Sequence, residues 1–342
     1  MTVTERFARW MADTAGIDGA RLGPRLAGGN ANVTRLVEAE DARFIVRHPP
    51  AAALSAKAAA GIEREARLLA AIADTGRAPA LIGVCVDPAV LGAPFAVQQF
   101  VPGTAITTKL PAAYADDGET VSEIGRELVR AIADVHRVDP ARLGTPRPQS
   151  ASFLARQIAR WREARRKDGV RDLPLFEQLG AWLASTMPQD TPVAILHGDY
   201  HLDNCLFDEH HPRLNAIIDW ELTTVGDPMV DLGLLLMFWR RDPGTRPDHA
   251  LGFPFVQAVS NRADVVPATA LADLWSSLTG WSAERLDYYR VFAFWRLAAI
   301  VEGAYILYRR GQVDSAYARG LEQDVPNLLM EAAALVDGGA AL

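Results

Sequence analysis

His197-Gly198-Asp199-Tyr200-His201-Leu202-Asp203-Asn204 is the stretch on which the reading of this chain turns. An apolar run, Val193-Ala194-Ile195-Leu196, leads straight into it, and a second one delivers Asp219 in Ile217-Ile218-Asp219-Trp220-Glu221. Both runs have the length and character of short buried strands. Carboxylates at the ends of buried strands are costly unless paired, protonated or bound to a cation. Two such ends with an Asn between them predict a cation site. Oxygen ligands of this kind suit Mg²⁺, which takes a few carboxylate or amide oxygens and completes its shell with water and phosphate.

Asp199 and Asn204 form Asp-x-x-x-x-Asn, with Asp219 downstream. In phosphoryl transfer the first residue of such a set accepts the substrate hydroxyl proton, the Asn binds metal, and the later Asp holds metal against the phosphates. That chemistry asks the protein for alignment and charge neutralisation. Two other readings start from the same residues. His197-x-Asp199-x-His201-x-Asp203 alternates like a dinuclear metal loop, which would make a metal-dependent hydrolase using His197, Asp199 and His201. Such sites draw further His ligands from elsewhere, and outside the two local clusters only His48, His136 and His249 remain. The third reading is a catalytically silent nucleotide-binding module.

The whole chain is compatible with an enzyme of two lobes. At roughly 100–200 residues per domain, 342 residues predict two domains or one bilobal unit. Hydrophobic residues make up 49% and charged residues 23%, which excludes disorder as the main state. The net charge of −7 argues against non-specific nucleic-acid binding, which needs a dense basic surface. Two cysteines, Cys85 and Cys205, are too few for a disulfide scaffold, and a reduced cytoplasmic setting is the simpler expectation. The first ten residues carry charges where a signal peptide needs an apolar run. No membrane span is expected, because the long apolar stretch Val291–Leu307 is broken by Arg296 and Glu302. Lysine occurs only at Lys57, Lys109 and Lys167, so an Arg can stand where other chains use Lys.

Residues 5–15 predict a leading helix, with Phe7, Trp10 and Met11 at helical spacing. Leu22–Leu26, Val33–Glu38 and Ala42–Arg47 predict a three-stranded meander, closed by Pro49-Pro50. Ala58–Ala73 predicts a helix, and Leu81–Val86 and Pro94–Val101 two more strands. This β-rich lobe covers residues 1–101. Residues 102–342 predict a mainly helical lobe with helices at Thr120–Arg137, Ser152–Lys167, Leu175–Met187, Pro228–Trp239, Ala270–Leu278, Ala283–Arg310 and Ala316–Val336. Inside it sits an irregular island from Pro192 to Asp227, with strands at Val193–Leu196 and Asn215–Ile218.

His197–Asn204, Ile217–Glu221 and Gly226-Asp227-Pro228-Met229-Val230-Asp231-Leu232 together resemble the aminoglycoside phosphotransferase/choline kinase family. Within it the chain is most similar to the kinase domains fused to some acyl-CoA dehydrogenases, and to their stand-alone bacterial relatives. Phe44–Pro50, Gly92–Phe95 and Tyr288–Ala299 carry the same likeness, and coverage runs from about Leu26 to about Gly311. The resemblance implies an α+β, protein-kinase-like bilobal fold and an ATP- and Mg²⁺-dependent O-phosphotransferase acting on a small-molecule hydroxyl, cytoplasmic, with neither nucleic acid nor membrane as partner. Carried onto this sequence, Asp199 is the catalytic carboxylate, and Asn204 and Asp219 hold Mg²⁺. His197 braces the loop and Asp231 anchors it. Gly28, Gly29 and Asn30 form the turn over the nucleotide phosphates. Arg47, where the wider kinase pattern has Lys, contacts phosphate and pairs with Glu65. Gln98, Gln99 and Val101 belong to the hinge that binds adenine through backbone groups. The acceptor implied is a hydroxyacyl thioester or another lipid-derived hydroxyl, with an antibiotic hydroxyl as the other family option. An aminoglycoside pocket calls for several clustered carboxylates, which the C-terminal stretch does not show.

Overall fold

The computed structural model describes residues 1–26, 32–50, 56–144, 150–239 and 259–336. The expected phosphate turn at Gly28, Gly29 and Asn30 lies outside these residues. Helix α1 (Val3–Ala15) starts at a capping box, in which Thr2 and Glu5 each bond the other's backbone amide. Its Phe7 and Met11, one turn apart, are fully buried. They cover one face of a five-stranded antiparallel sheet: β1 (Arg21–Arg25), β2 (Val33–Glu38), β3 (Arg43–His48), β4 (Leu81–Cys85) and β5 (Phe95–Gln99), in the order β1-β2-β3-β5-β4. Strand side chains alternate between faces. Phe44, Val46, Phe95 and Val97 therefore pack with Phe7 and Met11, and Ile45, Arg47 and Gln98 point to the other side, into a cleft. Helix α2 (Ala56–Ile72) packs on β4 and β5 and sends Leu68, Leu69 and Ile72 into the larger core below. A single turn, α3 (Pro88–Leu91), separates β4 from β5.

The rest of the described chain is mainly helical: α4 (Gly118–His136), α5 (Ser150–Asp168), α6 (Pro174–Ser185), α7 (Met229–Leu236), α8 (Ala268–Thr279), α9 (Leu286–Arg309) and α10 (Ala316–Ala334). Each expected helix is present within a few residues of its expected ends. The largest C-terminal shortfall is α7, expected to reach Trp239. It ends at Leu236, and the Trp239 indole Nε1 donates to the Val266 carbonyl at 2.9 Å. Gly233 lets α7 lie directly on α9, since a Cβ there would sit 2.6 Å from the Cβ of Tyr289. Helix α9 is long and apolar enough to cross a membrane by length and composition, and most of that stretch is buried inside the protein. It packs on α7 and α10 and is buried on several faces, as a helix apolar all round should be.

The island expected to hold two strands holds four: β7 (Ala194–Leu196), β8 (Cys205–Phe207), β9 (Leu214–Ile217) and β10 (Thr224–Gly226). With β6 (Thr104–Ala105) they build two small sheets, β6-β8-β9 and β10-β7. Strands of two or three residues carry too little periodicity to be read in advance. Their purpose is positional. They fix the two loops that follow β7 and β9 side by side, and the Ile218 amide donates to the Asn204 carbonyl at 2.9 Å.

Candidate active site

Strand β7 is fully buried and ends at His197, which is also fully buried. Both ring nitrogens of His197 are engaged: Nε2 donates to the Ile218 carbonyl at 2.8 Å, and Nδ1 accepts from the Asp199 amide at 3.2 Å. Burial pushes the imidazole pKa down despite the Asp231 charge, so the ring is neutral, as this bonding pattern requires. His197 thus braces one loop on the other. It has no nitrogen left for a metal, which removes the first ligand of the hydrolase reading. Among the described residues no group of three His, Cys, Asp or Glu side chains is placed to hold a metal ion.

Gly198 adopts a left-handed conformation, φ 86°, and a Cβ there would meet the Leu222 carbonyl oxygen at 2.5 Å. Only glycine fits. Asp231, in the first turn of α7 and fully buried, collects three donors: the His197 amide at 2.7 Å, the Gly198 amide at 2.9 Å and His136 Nε2 at 3.3 Å. The Trp275 indole donates to His136 Nδ1 at 3.1 Å, and that bond places the imidazole proton on Nε2, facing Asp231. The anchoring role expected of Asp231 is therefore met. His136 and Trp275, contributed by α4 and α8, are members of the same network that sequence reasoning missed. No local pattern ties residues so far apart in the chain.

Asp199 follows, half-buried at the mouth of a cavity. Its Oδ2 lies 3.3 Å from Asn204 Nδ2 and 3.4 Å from His201 Nε2. Burial works against the charged form of Asp199. The His201 hydrogen bond and charge, with His197 and Arg296 behind it, outweigh that and hold the carboxyl below its ordinary value. His201 shifts the other way. Burial opposes its charge, but the bond to Asp199 and the nearby Asp203 and Asp219 raise its pKa. Asn204 Nδ2 also donates to the Asp199 carbonyl at 2.9 Å, which leaves Oδ1 as the side-chain oxygen available to a cation.

Asp219 is brought beside this loop in a left-handed conformation, φ 64° and ψ 58°, which a non-glycine residue adopts at a cost. Arg47 reaches it from the sheet. One guanidinium nitrogen donates to Asp219 Oδ1 at 2.7 Å and the other to Glu65 Oε1 at 2.9 Å, while Glu221 lies 3.7 Å away. Burial disfavours the charge on Arg47, yet Glu65, Asp219 and Glu221 together raise its pKa. The expected Arg47–Glu65 pair exists, and the Asp219 contact was not anticipated. Arg47 Nε is buried and has no hydrogen-bond partner among the described residues.

At the hinge, the Gln98 side chain turns inward and donates to Glu65 Oε1 at 3.1 Å. The Gln99 amide donates to the Ala80 carbonyl at 2.8 Å and the Phe100 amide to the Arg43 carbonyl at 3.2 Å. Leu26, Ile45, Leu206 and Ile218 give apolar walls to a cleft of about 430 Å³ that also touches Gln99, Val101, Arg47, Asn204 and Asp219. A second cavity, about 240 Å³, opens on the other side of the loop at Asp199 and is walled by Leu234, Leu235, Phe238, Leu297 and Val301. Asp203 lines both.

The family model described as a phosphotransferase enzyme family matches residues 23–253, more than half of the chain. The chain belongs to that family. Mouse acyl-CoA dehydrogenase family member 10 is 27% identical to this phosphotransferase over 305 residues, covering 85% of the chain but only 27% of the mouse protein. The structure of a Ralstonia eutropha JMP134 protein, provisionally assigned as an aminoglycoside phosphotransferase, is 27% identical, covers 97% of this chain and 98% of its own, and superposes with a TM-score of 0.78. The GDP complex of aminoglycoside 2'-phosphotransferase-IIIa shares the fold, with a TM-score of 0.60, 14% identity and coverage of 96% and 98%. The fold is the expected α+β, protein-kinase-like one, and the family match makes the chain a phosphotransferase. That speaks against the hydrolase reading.

Proposed function

We propose that this phosphotransferase moves the γ-phosphoryl group of ATP, with Mg²⁺, to a hydroxyl carried by a largely apolar small molecule. The observation that carries the reading is the pair of cavities meeting at residues 199–204, one lined by hinge, Arg47, Asn204 and Asp219, the other by Asp199 and aliphatic side chains. The first has the flat apolar walls an adenine needs, and the Val101 amide makes no hydrogen bond with any described residue, so it is free to meet the base edge. Nucleotide-bound relatives of the same fold support nucleotide use.

Asn204 Oδ1 and the Asp219 carboxylate fit Mg²⁺: two oxygen donors on neighbouring loops, leaving the rest of an octahedral shell for water and phosphate. Bound there, the ion would neutralise charge on the phosphates. Asp199 lies at the other side of the loop, ionised at neutral pH by the groups around it. It accepts the proton of the acceptor hydroxyl as that oxygen bonds to the γ-phosphorus and the bond to ADP breaks. A positioned base of this kind contributes about 10²- to 10⁴-fold. Arg47, which lines the same cleft, adds a fixed positive charge on the nucleotide side.

The acceptor cavity favours an apolar substrate. Among the described residues its carboxylates are Asp199 and Asp203, and its other walls are mainly apolar. A polycationic sugar would leave ammonium groups among leucines, which is unfavourable without paired charges. The acyl chain of a hydroxyacyl thioester suits such apolar walls, and the likeness to the acyl-CoA dehydrogenase relatives supports it. The test is a panel of hydroxy acids, hydroxyacyl thioesters, long-chain alcohols, choline and kanamycin with ATP and Mg²⁺, followed by mass spectrometry of the products. Phosphorylation of the apolar hydroxyls, lost by about 10²-fold or more in Asp199→Asn with ATP binding unchanged, is expected. Preferred transfer to kanamycin or choline, or an active Asp199→Asn, refutes the reading.

A further inference from the structure

The peptide that precedes Asp199 is gripped at both ends by opposite charges. The Gly198 N–H donates to the Asp231 carboxylate at 2.9 Å, and the Gly198 carbonyl accepts from an Arg296 guanidinium nitrogen, also at 2.9 Å. Arg296 comes from the middle of α9, 98 residues further along the chain. Neither the motif around Asp199 nor the family likeness gives it a role.

We propose that Arg296 is a positioning residue for phosphoryl transfer: it locks the Gly198–Asp199 peptide and sets a fixed positive charge beside the Asp199 carboxylate. The proposal rests on Asp199 acting as the base, as argued above.

Three observations carry it. First, the peptide has no slack on its other sides. Gly198 sits at φ 86° with the Leu222 carbonyl oxygen 2.5 Å from where a Cβ would stand, and the Arg296 bond fixes the direction of the carbonyl that leads into Asp199. Second, a full charge is out of proportion to the one bond it makes among the described residues. Arg296 is half-buried between fully buried Trp295 and Ala298, and burial pushes its pKa down while Arg160 adds repulsion. A neutral donor would satisfy a carbonyl at lower desolvation cost. What offsets the burial is attraction from Asp199 first and Asp231 second. Those two carboxylates are the groups that favour the guanidinium charge. Third, the neighbouring residue, Leu297, lines the acceptor cavity. One turn of α9 thus sets the base and shapes the space where its substrate sits.

The test uses the full chain with ATP and Mg²⁺, water serving as acceptor, and reads γ-phosphate release, the KM for ATP and the thermal midpoint. Arg296→Ala is expected to lower kcat by about 10- to 100-fold, the range set by small misplacement of a reacting group, with the KM for ATP within about twofold. Arg296→Lys restores part of kcat, and millimolar guanidinium restores part of it to the Ala variant. A residue needed only for folding would lower the thermal midpoint and answer to neither. Arg296→Ala that keeps wild-type kcat, or a loss that neither Lys nor guanidinium recovers, overturns the proposal. If Arg296→Ala does not fold, Arg296→Met and Arg296→Lys are compared: more kcat in Lys at equal KM for ATP supports it, and equal loss overturns it. A wild-type chain that releases no phosphate and phosphorylates no alcohol refutes the ATP-dependent reading instead.

Discussion

Asp231→Asn is the most informative change in this molecule, because it keeps shape and removes charge at a point where three donors converge. In the native structure Oδ1 accepts from the Gly198 amide and Oδ2 from the His197 amide and His136 Nε2. An asparagine must place its NH₂ at one of these positions. Turned toward Gly198 it orphans one buried amide. Turned the other way it orphans two donors, so the first orientation wins. The orphaned N–H costs about 1–3 kcal/mol, and each of the two remaining bonds falls from a charge-assisted to a neutral one, about 1 kcal/mol apiece. The sum is about 3–5 kcal/mol, a large part of the 5–15 kcal/mol that stabilises a typical domain. Urea unfolding followed by Trp fluorescence reads it directly, with an unchanged m-value as the sign that only stability moved. A variant within about 1 kcal/mol of wild type would show that the carboxylate is not the anchor of the loop.

Three further outcomes follow from the same geometry. Arg47→Met leaves Glu65, a buried carboxylate, with Gln98 as its only partner among the described residues and should cost about 3–5 kcal/mol; adding Glu65→Gln should return part of it in a double-mutant cycle, and strict additivity would refute the coupling. Phe7→Ala should cost about 3–5 kcal/mol by urea unfolding, since the ring is fully buried between α1 and the sheet; a loss below about 1 kcal/mol would show that α1 is dispensable to that core. His197 is held neutral, so the unfolded chain binds a proton that the folded one refuses. Stability should be complete above the ordinary His value of about 6.5 and fall as pH drops below it, by at most about 1.4 kcal/mol per unit for this one group. His201 opposes this, its raised pKa adding stability below about 6.5 that is lost as pH rises through its folded value. The two are separated by His197→Gln, whose urea midpoint should change less between pH 7.5 and 5.5 than the wild type's; an equal change refutes the assignment.

Asp199, Asn204 and Asp219 were legible because their order and spacing are local, and because carboxylates at the ends of apolar strands need a reason to be there. The Arg47–Glu65 pair was legible only through resemblance, since no spacing rule links a strand to the helix after it. What escaped was everything decided across the fold. His136, Trp275 and Arg296 look like ordinary helix residues in the sequence, and their partners lie 95, 139 and 98 residues away. Gln98 was expected at the nucleotide by its backbone, and the side chain turned out to serve Glu65, a consequence of strand alternation that the register of β5 decides. The strands β6, β8 and β10 were too short to show a period, and only pairing defines them.

Helix α2 and strand β3 have different allegiances. Through Leu68, Leu69 and Ile72 the helix is rooted in the lower core, whereas Phe44 and Val46 tie the strand to the upper one. Arg47 on that strand clasps Glu65 on the helix and Asp219 on the lower loop at once. One side chain thus ties strand, helix and lower loop together, and drawing the strand away from the other two would leave Glu65 and Asp219 without the guanidinium they share.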